Sequence, residues 1–123
     1  YFPTYSNTIS KEQMQEQVFS SCRILCELGC DMIKTFYTYD FEKVIESCPV
    51  PVFGLGAEKT PTQLQALELA AEEIKCGARG VVFGRNAIQV PDPHAFQSAL
   101  CDVVKRGISP RDAITKYGIT DKF

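Results

Sequence analysis

Three short apolar runs, set between stretches that carry helix start and stop signals, constrain this chain more than any other feature. They are DMIKTF at residues 31 to 36, VPVFGL at 50 to 55 and GVVFG at 80 to 84. Each is too short for a helix and is bounded by Gly or Pro, which reads as a buried strand. Ser10 and Gln13 make a capping-box pattern ahead of Met14, Val18, Phe19, Cys22, Leu25 and Cys26, and Gly29 stands at the stop. Thr60, Pro61 and Gln63 open a second helix through Leu64, Leu67, Ala71 and Ile74, closed by Gly77. Asp92 and Pro93 open a third, with Phe96, Leu100, Val103 and Val104 as its stripe and Gly107 as its stop. Ser109, Pro110 and Asp112 begin a short fourth that ends near Gly118.

The order is read as an alternation of helix, strand, helix, strand, helix, strand, helix, which places a crossover helix between the first two strands, where no start or stop signal is named. Strands joined by helical crossovers are parallel, and the crossovers are right-handed. Three parallel strands cannot close a barrel, and an open sheet of this size would leave long edges unpaired. A full (β/α)8 barrel takes about 250 residues, so residues 1 to 123 read as a single α/β unit that forms part of a larger architecture. A start at Tyr1 rather than Met also implies a piece of a longer polypeptide.

Composition narrows the partners. The chain is 45% hydrophobic and 23% charged, with a net charge of −2, which fits an ordinary globular domain. Its charges are interspersed without a run of five or more Lys or Arg, so neither nucleic acid nor an anionic membrane is an expected partner. No apolar run approaches the roughly 20 residues that span a bilayer, and the expected location is cytoplasmic. The six cysteines fall mostly where a small apolar residue would serve. Cys22, Cys26 and Cys30 recur on one helical face, but without a CxxC pair or a nearby His they read as buried reduced thiols rather than metal ligands. No metal and no cofactor are expected.

Ligands of parallel α/β proteins meet the carboxyl ends of the strands, and here those ends read KTFYT, GLGAEK and GRN. On the first strand Met32, Lys34 and Phe36 share one face, with Ile33 and Thr35 on the other. A lysine desolvated among apolar neighbours has a lowered pKa and can attack a carbonyl to form a Schiff base; a lysine that reaches into water, or pairs with Asp31 or Glu42, is the competing reading. The backbone of GLGAEKTP, where Gly54 and Gly56 allow close approach, suits an anion, although a plain tight turn explains a lone GxG equally well. In GRNAIQ, Gly84 offers a backbone donor, Arg85 a charge, and RNAIQ a short extra helix; a surface ion pair is the alternative for Arg85. Tyr37 lies beside the lysine, either as a proton donor or acceptor or as packing. His94, the one histidine, reads as a solvated residue in the first turn of a helix.

The succession GCDMIKTFYT, ESCPVPVFGLGAEKTP and GARGVVFGRNAIQVPDP resembles the C-terminal half of the Schiff-base class I aldolases of the archaeal fructose-bisphosphate aldolase type, closest to the branch of thiolases that process phosphorylated autoinducer-2. The resemblance runs from about residue 10 to 117. It implies that this chain is the C-terminal part, strands six to eight, of a (β/α)8 TIM barrel lacking the N-terminal strands, with Tyr1 at the end of strand five. By the same resemblance Lys34 is the imine-forming catalytic lysine, with Tyr37 as the one acid or base that can be named, and Gly56, Ala57, Gly84 and Arg85 hold the substrate phosphate. The implied substrate is a phosphorylated ketone or ketose, and the implied partners are the missing N-terminal half or another chain, with homo-oligomer formation. A non-catalytic half-barrel module that assembles with another chain is the alternative. The family usually reads Gly-Gly where this chain has Gly56-Ala57, so a positive φ at the second position would strain Ala57 by about 1 kcal/mol.

Overall fold

The computed structural model describes residues 9–121. Its elements run in the order α1 (Lys11–Glu27), β1 (Ile33–Phe36), α2 (Phe41–Glu46), β2 (Val52–Leu55), α3 (Gln63–Lys75), β3 (Gly80–Val82), α4 (Arg85–Ile88), α5 (Pro93–Arg106) and α6 (Pro110–Tyr117). The strands form one parallel sheet in the order β1-β2-β3. Tyr1 lies outside the described residues.

The helix ends follow the local chemistry. Ser10 and Gln13 close the capping box reciprocally, at 3.1 and 3.0 Å, and Gly29, Gly77, Gly107 and Gly118 take positive φ just beyond α1, α3, α5 and α6, where a side chain would be strained. One boundary differs from expectation: the N-cap of α3 is Thr62, not Thr60. Thr60 is held by the Asn86 side chain instead, through its N–H at 2.8 Å, and Pro61 then falls before the cap. The crossover between β1 and β2 is the six-residue α2, whose N-cap Asp40 makes no side-chain cap bond. Gln15 of α1 fixes that start from a distance, since its carboxamide both donates to Asp40 O at 3.0 Å and accepts from Asp40 N at 3.2 Å.

Paired residues of the sheet run Ile33–Val52, Thr35–Gly54–Val81 along one face and Phe36–Leu55–Val82 along the other. Helices cover the first face. Val18 and Cys22 of α1 and Phe41 and Val44 of α2 pack with Ile33 and Val52 in one apolar cluster. A second cluster, Ala66, Leu67, Phe96, Ala99, Val103 and Ala113, joins α3, α5 and α6; its alanines let the three helices approach closely. The other face of the sheet has no layer over it among the described residues, and Met32 and Val82 on it are exposed. All six cysteines are free, but only Cys22 is fully buried and Cys101 is exposed, so the expectation of uniformly buried thiols holds in part. Burial pushes the Cys22, Cys30 and Cys76 thiols up and Cys48 to about 11, leaving them protonated and unreactive. His94 is exposed, as expected. No helix among the described residues is long and apolar enough to cross a membrane.

Two buried carboxyl groups are treated differently. Asp102 of α5 accepts from Lys116 Nζ at 2.6 Å and Tyr117 Oη at 2.8 Å and forms an ion pair with Arg106, Nη1 to Oδ1 at 3.1 Å; the bonds from α6 tie it to α5, and the Asp102 pKa is lowered chiefly through the Lys116 bond. Glu73 of α3 is fully buried, and neither of its oxygens has a hydrogen-bond partner. Its carboxyl lies directly on Gly54: a Cβ at that glycine would stand 2.2 Å from Glu73 Cδ. Gly54 therefore makes room for a helix side chain; it does not serve the cavity end of the strand, because the alternation turns it to the other face.

Desolvation raises the Glu73 pKa from 4.5 to about 8. The folded state thus holds a proton that the unfolded state releases, so the contribution of this group is fully present below pH 4.5 and is lost as pH rises through about 8. A shift of this size corresponds to about 5 kcal/mol, a large share of what holds a domain of this size together. Urea unfolding from pH 5 to about 8 is expected to show that decline in the unsubstituted chain, and a nearly flat profile over the same range in Glu73→Gln.

Candidate active site

At the carboxyl ends of the three strands lies an open cavity of about 440 Å³ lined by Lys34, Phe36, Leu55, Gly56, Ala57, Glu58, Val82, Gly84 and Arg85. The alternation along β1 sends Lys34 and Phe36 to this face, and the register places Leu55 and Val82 beside Phe36. Five of the six residues singled out from sequence thus meet in one place: Lys34, Gly56, Ala57, Gly84 and Arg85. Tyr37 does not join them. Its ring packs against Phe41 of α2 at 5.4 Å between centroids, and burial, with Cys76, Glu72 and Glu73 nearby, raises its pKa. The expectation of a dry lysine also needs correction. Lys34 is exposed, because its face of the sheet is the one without a covering layer.

The anion-suited loops are built by side chains of α4, the short extra helix expected from RNAIQ. Arg85 Nη2 donates to Ala57 O at 3.0 Å, and this arginine takes part in none of the ion pairs among the described residues. Asn86 is 1% exposed. Its Nδ2 donates to Gly56 O and Glu58 O, both at 3.0 Å, and its Oδ1 accepts from Thr60 N. The loop between β2 and α3 is thereby stitched to the start of α4. Ala57 has φ +49°, the one non-glycine residue with positive φ among the described residues, so the position does require the conformation that glycine adopts without strain. Sequence reasoning missed Asn86 and Glu58. Glu58 is a carboxylate on the cavity wall, directly after the turn, and its place in GAEK was visible; the role of Asn86 was not, since it depends on contacts 26 to 30 residues away.

The fold and the cavity define a parallel α/β protein with a lysine-bearing cavity at its strand carboxyl ends. The chain belongs to the DeoC/LacD family of aldolases, whose family model matches residues 3–90. It is 38% identical over 115 residues to a 3-hydroxy-5-phosphonooxypentane-2,4-dione thiolase of Enterobacter sp. (strain 638), covering 90% of this chain and 39% of that relative. An uncharacterized aldolase of Pasteurella multocida is 36% identical, over 94% of this chain and 41% of its own length. Among solved structures, a Schiff base forming fructose-1,6-bisphosphate aldolase matches with a TM-score of 0.74 and 34% identity, over 84% of this chain and 42% of that one. An archaeal fructose-1,6-bisphosphate aldolase, solved with its catalytic Lys covalently bound to a carbinolamine intermediate, matches with a TM-score of 0.71 and 31% identity, over 85% of this chain and 41% of that one. These neighbours are TIM-barrel class I aldolases, and this chain shares their parallel sheet with helices. The chain spans about two fifths of the length of the relatives it matches.

The left-handed Ala57 generates a direct test. Ala57→Gly is expected to stabilise the chain by a few tenths of a kcal/mol, the relief of Cβ strain slightly outweighing the greater freedom of glycine in the unfolded state. The midpoint of urea unfolding at constant slope measures it.

Proposed function

We propose that this chain supplies the lysine and the anion-gripping loops of a Schiff-base class I aldolase or thiolase-like enzyme that acts on a phosphorylated ketone or ketose. The observation that carries the reading is the meeting of Lys34 with both Gly56–Ala57 and Gly84–Arg85 on one cavity wall. In this reading β1, β2 and β3 are strands six to eight of a (β/α)8 barrel. The remaining strands, on another part of a longer polypeptide or on another chain, cover the face that exposes Met32, Lys34 and Val82. Family membership supports it, as do a relative named for a phosphonooxy diketone and a solved neighbour with a covalently bound catalytic lysine.

The chemistry follows from the placement. The neutral amine of Lys34 attacks the substrate carbonyl, water leaves, and the protonated imine accepts the electron pair of the carbon–carbon bond that breaks. Covering the open face is part of the mechanism, because the strands that do so exclude water from the imine and from the bond that breaks. The phosphate, held by the loops, fixes the carbonyl beside the amine and turns binding into orientation. Proton transfer falls to a second group. Tyr37 is turned onto Phe41, so the reading assigns this step to Glu58 on the cavity wall or to groups on the covering strands.

The exposed lysine and the open apolar face also favour a second reading, a half-barrel module that assembles with another chain, including a second copy of itself, without turnover. Borohydride reduction with a phosphorylated ketone separates the two. The enzyme reading expects a mass increase on Lys34 in the assembled protein, lost in Lys34→Met while the melting temperature changes by only a few degrees. An assembled sample that binds phosphate yet forms no adduct supports the non-catalytic module.

A further inference from the structure

The loop between β2 and α3 carries three successive carbonyls that are all captured from the α4 side: Gly56 O and Glu58 O by Asn86 Nδ2, and Ala57 O by Arg85 Nη2. In a trans peptide the N–H that follows a carbonyl points the opposite way. The N–H groups of Ala57 and Glu58 therefore point away from Asn86 and Arg85, and neither has a backbone acceptor among the described residues. Both residues line the cavity. A pair of successive N–H groups freed in this way at a positive-φ turn is a ready concavity for an anion.

We infer that Asn86 is the positioning residue of this anion lobe: its buried carboxamide does not touch the ligand but holds the Gly56–Thr60 loop so that the Ala57 and Glu58 amides face the bound phosphate. The inference rests on the reading of the cavity as a phosphate site. Two features of the structure make it specific to Asn86. Its side chain uses both of its functions, the amide N donating twice and the carbonyl O accepting from Thr60 N and, at 3.4 Å, facing Thr60 Oγ1. Gly56 also leaves it room, since a Cβ there would stand 3.1 Å from Asn86 Nδ2 and 3.0 Å from the Phe83 ring. That Cβ would point into the protein, not into the cavity, so it would disturb the stitch without blocking the ligand.

The inference explains how a loop with a strained alanine keeps its shape. A left-handed residue at a mobile turn relaxes to an ordinary φ unless the surrounding bonds over-determine it, and here they come from two side chains of one short helix. Asn86→Asp isolates the donor function. It preserves the acceptor for Thr60 N but removes both donations and sets a carboxylate against two carbonyl oxygens.

The test is a titration of the isotopically labelled 123-residue chain with inorganic phosphate, following the Ala57 and Glu58 amide signals, with thermal unfolding and loop hydrogen exchange measured beside it. The unsubstituted chain is expected to show saturable shifts at those two amides. Asn86→Ala and Asn86→Asp are expected to weaken phosphate at least tenfold and to speed exchange across residues 57 to 60, and Gly56→Ala to weaken it several-fold. Should either Asn86 variant fail to fold, Gly56→Ala carries the same comparison. Phosphate binding unchanged within twofold in a folded Asn86 variant overturns the positioning role and leaves the phosphate site standing. Absence of any saturable response in the unsubstituted chain overturns the phosphate site itself, and the positioning role with it.

Discussion

The period of two along β1, β2 and β3 governs everything else in this molecule. One set of side chains, Ile33, Thr35 and Val52, with Gly54 between them, faces the helices and is buried; the other, Lys34, Phe36, Leu55 and Val82, lines the cavity, and of these only Phe36 is also buried in the core cluster. A shift of one residue in any strand would exchange the two sets. The helix face is dry, and its apolar cluster with α1 and α2 fixes the register. That register then delivers Lys34 to the same end of the sheet as the loops that follow β2 and β3, without any direct contact between the lysine and those loops being needed. The site is thus specified from behind, by packing on the face that takes no part in the chemistry.

The two buried carboxyl groups show how differently the interior treats charge. Asp102 accepts two hydrogen bonds from α6, pairs with Arg106 of α5 and keeps its charge; it is the polar link between the last two helices. Glu73 has none and is held neutral by desolvation. A polar group buried without a partner is costly, and no other buried acid among the described residues stands without one. Glu73 acts on Tyr37 only once it has lost its proton.

Much of the fold was legible because its signals are local. Ser10 with Gln13, Asp92 with Pro93, Ser109 with Pro110 and the four left-handed glycines each act within one or two turns, and the three apolar runs became three parallel strands. The left-handed turn at Ala57 was legible too, through the resemblance of its loop to one that usually carries glycine. What escaped depends on distance along the chain. The start of α2 is set by Gln15, 25 residues earlier; the start of α3 is displaced because Thr60 is engaged by Asn86, 26 residues later. Gly54 was offered for close approach to an anion, with a plain tight turn as the equal alternative, because sequence shows a glycine near a strand end but not which face it lies on. The exposure of Lys34 follows from what covers the sheet, which no local pattern encodes.

Gly54 and Glu73 occupy one space between them, with a distance of 2.2 Å separating the missing Cβ of one from the carboxyl carbon of the other. Neither position is free to drift by itself. A methyl group on the strand demands a shorter side chain on the helix, while a shorter helix residue leaves a void that a larger strand residue would fill. Across descendants of this chain the two sites should therefore covary, an inherited record of how closely α3 rests on β2.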